Sequence, residues 1–101
     1  MKVFVFGGDH HNTIGVIRCI AQANSEIEIN VIVKANTDKC LTNTCKYVTK
    51  LYIVASQQEG LEVLLSNCSN KGKHVLICCS DGSAEIVDNH LDELLPFYHL
   101  Q

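Results

Sequence analysis

The sequence has no tryptophan, one proline and one methionine in 101 residues. The lone proline, Pro96, leaves no proline-rich linker to divide the chain. No apolar run approaches the roughly 18–20 residues that span a bilayer. Cationic residues are in the minority: 8 Lys and Arg against 11 Asp and Glu give a formal net charge of −3. A broad basic footprint for nucleic acid is therefore excluded as the default. Three motifs are also missing: GxxxxGK[ST], GxGxxG and CxxC. What is present is ordinary. Apolar residues make up 47% and charged residues 19%, enough to bury a core and to exclude intrinsic disorder. One domain is expected. A chain this short leaves little room for a complete two-substrate active site.

The apolar run from Val3 to the glycine pair Gly7-Gly8 is too short for a secretory signal, and no small-residue cleavage site follows. The expected compartment is the cytoplasm. Six cysteines, at 19, 40, 45, 68, 78 and 79, then read as free thiols, mostly small buried hydrophobes. Cys78 and Cys79 are adjacent in a strand-like run and should point to opposite faces. Cys40 and Cys45 are too loosely spaced for a zinc knuckle.

Residues 2–6, KVFVF, predict a strand buried on both faces. Residues 27–33, 50–55 and 73–79 predict three more, and FYHLQ can start a fifth. Between them lie helical patterns. Ile14, Ile17, Ile20 and Ala21 share a stripe, with Asn12 or Thr13 as N-cap and a stop near Ala23–Ser25. A short helix is expected around Asp38–Cys45. Gln57–Cys68 carries Leu61, Leu64 and Leu65 on one face, and Ser56 with Glu59 makes a capping box. Asn70-Lys71-Gly72 should close it. A last helix runs from about Ala84 to Leu95, ended by Pro96. This alternation predicts an α/β fold: an open, mostly parallel sheet of four or five strands with helices on both faces.

In such a sheet, ligands bind beyond the carboxyl ends of the strands, where the strand order reverses. With the first strand central, the reversal lies between it and the fourth. Two loops then face each other: Gly7-Gly8-Asp9-His10-His11-Asn12 and Ser80-Asp81-Gly82-Ser83. Both precede helices, so free N–H groups favour a phosphate or carboxylate there. Gly7 and Gly8 serve either a tight turn or close ligand approach. Gly15, inside a helix, suggests close helix–strand packing. Asp81 either caps the last helix or lines the crevice. His10 and His11 are a conspicuous pair, but a metal would need Asp9 and Asp81 to converge on them. His74, His90 and His99 read as packing residues. Lys34 stands where a dinucleotide fold places an acid for the ribose, which argues against NAD. No Ser-His-Asp or Cys-His set is supported by spacing.

The whole chain resembles the N-terminal domain of ATP-grasp ligases, closest to carboxylate–amine ligases and carbamoyl-phosphate-synthase-like proteins. The resemblance rests on KVFVFGGDHHNTIGVIRCI, on DKCLTNTCKYVTKLYIV, on the LEVLL helix, and on KHVLICCSDGSAEIVDNHLDEL with FYHLQ. It implies a Rossmann-like pre-ATP-grasp domain spanning residues 1–101. In that family ATP phosphorylates a carboxylate and an amine attacks the acyl phosphate. Carried over, Gly7, Gly8, His10, His11 and Asn12 match the first substrate loop, and Ser80 and Asp81 match the second. No catalytic residue, metal or cofactor is implied in this chain. Mg-ATP is expected only with ATP-grasp domains beyond residue 101, so the chain should not catalyse ligation alone. The implied partners are those domains, in the same or a split polypeptide, and a small carboxylate or amine. No nucleic acid or membrane partner is expected, and a homodimer is left open. The alternatives are a stand-alone nucleotide- or small-anion-binding module and a noncatalytic interaction domain.

Overall fold

The computed structural model describes residues 2–8, 11–23, 26–34, 48–68 and 73–100. The side chains of His11 and Asn12 lie outside that description, as do the expected helix around Asp38–Cys45 and the Asn70–Gly72 stop. The elements are β1 (Lys2–Gly8), α1 (His11–Ala23), β2 (Glu28–Lys34), β3 (Lys50–Val54), α2 (Gln57–Ser66), β4 (His74–Cys78), α3 (Asp81–Asp88), α4 (Leu91–Leu94) and β5 (Tyr98–Leu100).

The five strands form one parallel sheet in the order β3-β2-β1-β4-β5. This is an open, Rossmann-like α/β architecture. The alternation of β1 decides how it is covered. Val3 and Val5 point to one face, where they meet Ile17 of α1 and Ile29, Val31 and Val33 of β2. Phe4 and Phe6 point to the other, against Leu61 and Leu64 of α2, Val87 of α3 and Leu94 of α4. Removing these side chains from water is the main favourable term in folding. Cys78 and Cys79 fall on opposite faces, as alternation requires.

The helix ends follow local chemistry. Ser56 caps α2 by accepting from Glu59 N at 3.2 Å. The Glu59 carboxylate reaches back to accept from Ala55 N at 2.8 Å, one residue before the cap. Strand β5 is held by Tyr98, which is fully buried and donates from Oη to Leu64 O at 2.5 Å. Its ring packs edge-on to Phe4, with centroids 5.6 Å apart.

Three expectations are corrected. Helix α1 begins at His11, so Asn12 and Thr13 are inside it rather than capping it. Thr13 is fully buried beside Gly7. The last helix is two helices: α3 starts at Asp81 and closes at Asn89, and His90 departs from helical backbone at φ −126° and ψ 27°. The break turns the chain so that Leu94 is buried while Leu95 is exposed. Finally, Gly15 is exposed and an added Cβ would meet nothing within 4 Å, so close packing does not explain it.

Candidate functional site

At the strand-order reversal, β1 and β4 are hydrogen-bonded neighbours whose following helices leave toward opposite faces. In open parallel sheets such a reversal, at the carboxyl edge, is where ligands bind. Gly7 is buried near the end of β1. A Cβ there would lie 2.8 Å from Cys79 Cβ and 3.1 Å from Thr13 Oγ1. The close approach of β1, β4 and α1 alone thus requires glycine at this position. Gly8 ends β1 and is paired in register with Lys34 of β2. His11 and Asn12 open α1, and Asp9 and His10 lie outside the described residues.

Beside the end of β1 lies the N-terminus of α3. Ser80 is its cap, accepting from Ser83 N at 3.2 Å. Ser83 Oγ in turn accepts from Ser80 N at 3.3 Å and from Ser80 Oγ at 2.9 Å. Its own hydroxyl lies 2.9 Å from both the Phe6 and the Ser80 carbonyl oxygens, either of which can accept its proton. Ser83 is fully buried, and it ties the start of α3 to the end of β1. A backbone bond from Cys79 N to Phe6 O at 2.8 Å reinforces the same junction. Ser83 was not among the expected site residues, although its position three residues after Ser80 is the spacing of a capping box. Asp81 is exposed in the first turn of α3. Capping falls to Ser80, and the Asp81 carboxylate sits where the helix dipole favours an anion.

The structure thus brings Gly7, Ser80 and Asp81 to one edge. It also adds Lys34, an exposed cation beside Gly8 in register, which sequence reasoning used only against NAD. Thiol chemistry at this edge is disfavoured. Burial pushes the Cys78 thiol up to about 11 and raises Cys79 as well. Cys19, Cys68, Cys78 and Cys79 are free, and Cys19 is exposed rather than buried. Among the described residues, no group of three or more His, Cys, Asp or Glu side chains could hold a metal ion. No described helix is long and apolar enough to cross a membrane.

Comparison with family models, curated proteins and solved structures returned no match.

Proposed function

We propose that this chain forms the substrate-side N-terminal domain of an ATP-grasp carboxylate–amine ligase. The observation that carries this reading is the reversal point itself, with glycine-ended β1 and Ser80-capped α3 side by side in a 3-2-1-4-5 sheet. Two helices begin at that edge, α1 at His11 and α3 at Asp81. The positive end of a helix suits a carboxylate or an acyl phosphate, and Lys34 adds positive charge nearby. The sequence resemblance supplies the reaction class: phosphorylation of a carboxylate by ATP, then displacement of phosphate by an amine.

In this reading Gly7, Gly8, His10, His11, Asn12, Ser80 and Asp81 line the substrate side of the cleft. Ser83 holds the two walls together. The chain contributes binding and orientation, which is a catalytic contribution in its own right once the reactants are held in place. Mg-ATP belongs to ATP-grasp domains of the same or a split polypeptide, in the cytoplasm. The test is a pair of measurements on the purified chain. Acetylphosphonate, a stable acyl-phosphate mimic, should bind in a calorimetric titration, and Mg-ATP should not be hydrolysed. ATP hydrolysis contradicts the proposal. Tight nucleotide binding without hydrolysis points instead to a nucleotide-binding module.

A further inference from the structure

Strand β3 ends the sheet, and its outer side has no partner strand among the described residues. The direction of its free groups follows from one bond. In a parallel sheet, both backbone groups of a residue point to one neighbour and those of the next residue to the other. Cys79 N donates to Phe6 O, so the even residues of β1 face β4 and the odd ones face β2. Carried through the β1–β2 and β2–β3 registers, Lys50, Tyr52 and Val54 face β2. Leu51 and Ile53 face outward. Ala55, next in that series, confirms the direction, because its N–H donates to the Glu59 side chain instead of to a strand.

Beside this edge runs a cleft of about 490 Å³. Its floor is apolar, formed by Tyr52, Val54 and Val63, and its helical wall carries Glu59, Glu62 and Ser66. The wall residues recur at spacings of three and four, so they form one stripe along α2. The lining holds two carboxylates and no cation among the described residues. Glu59 is occupied by Ala55 N, whereas Glu62 is exposed and makes no ion pair among the described residues. The nearby cation, Lys50, lies over the Tyr52 ring at 5.0 Å.

We infer that the β3 edge and the outer stripe of α2 form a docking groove for an extended, basic segment of a partner polypeptide, which adds as a sixth strand. Edge pairing supplies backbone hydrogen bonds, and alternate apolar side chains of the segment fill the floor. Charge complementarity selects a basic residue opposite Glu62.

Hydrogen exchange on the full 101-residue chain tests this. The probes are three acetylated, amidated heptapeptides of alternating valine and threonine, with arginine, glutamine or glutamate at the centre. Without peptide, the Leu51 and Ile53 amides should exchange faster than those of Tyr52 and Val54. The arginine peptide should slow Leu51 and Ile53 by about tenfold or more. It should bind roughly two- to fivefold tighter than the glutamine peptide, with the glutamate peptide weakest. Glu62→Lys should reverse that order, and N-methylation of the peptide backbone should abolish binding. The inference is overturned if Leu51 and Ile53 are already as protected as Tyr52, if binding leaves their exchange unchanged, or if none of the three peptides binds at millimolar concentration.

Discussion

Gly60 of α2 lies directly against the ring of Phe6. A Cβ at Gly60 would fall 2.3 Å from Phe6 Cζ and 2.6 Å from Cε1. Helix and sheet approach so closely there that only glycine fits, although glycine is a poor helix former. Gly60→Ala should therefore destabilise the protein by about 1–3 kcal/mol despite the better helix propensity of alanine. Gly15→Ala should do the opposite. Its added Cβ meets nothing, so a gain of about 0.4–1 kcal/mol is expected. Denaturant midpoints of the two variants check the opposed signs.

Ser83→Ala should cost about 1–3 kcal/mol. The change leaves the buried capping arrangement of Ser80 without its partner and cuts the tie to Phe6 O. Ser83→Thr keeps the hydroxyl but adds a methyl group at a fully buried position, so it should recover only part of the loss. Urea unfolding of both variants gives the comparison.

Acid should weaken the fold in two stages. His74 is held below its ordinary value, first by burial and next by the charge of Lys2. The unfolded chain therefore takes up that proton first, and stability falls as pH drops below about 6.5 toward the folded value. Glu28 is held below its usual range, chiefly by the hydrogen bond from Asn30 Nδ2 at 3.0 Å. Its contribution is lost as pH falls through about 4.3 and lower. Lys2→Gln should raise the His74 value and the Glu28 value together. An NMR titration of both side chains in the two proteins reads this directly.

Thiol reactivity should follow exposure and burial. Cys19 is exposed and should label first among the described cysteines with a maleimide or a disulfide reagent at pH 8. Cys78, whose thiol is pushed up to about 11 by burial, should label last among the described cysteines. Peptide mapping by mass spectrometry after timed labelling separates the sites.

Much of the fold was legible in the residues. KVFVF alternates valine with phenylalanine, and that alternation is what divides the core between two faces. The strand–helix alternation gave the parallel sheet, and with it the reversal between β1 and β4. What escaped depends on distances between elements, which a one-dimensional pattern does not carry. Gly15 and Gly60 both sit inside helices, yet one faces open space and the other an aromatic ring. The apolar stripe through Ile86, Val87, His90, Leu91 and Leu94 runs unbroken across the turn at Asn89 and His90. Beyond the turn, Tyr98 pairs with His74 at the edge of β4 and reaches Leu64. At the strand-order reversal, Ser80 and Asp81 stood out in the sequence. Ser83 and Lys34 were noticed but not as site residues, because their place there comes from Phe6 and Gly8, far away in the chain.

The most direct test of the proposed function is a residue-resolved titration. Acetylphosphonate is added to the isotopically labelled chain, and backbone amide shifts are followed by NMR. A substrate-side domain should show its largest shifts at Gly7, Gly8, His11, Ser80 and Asp81, and Ser83→Ala should weaken the response. Shifts centred elsewhere on the sheet, or none at millimolar ligand, would contradict it.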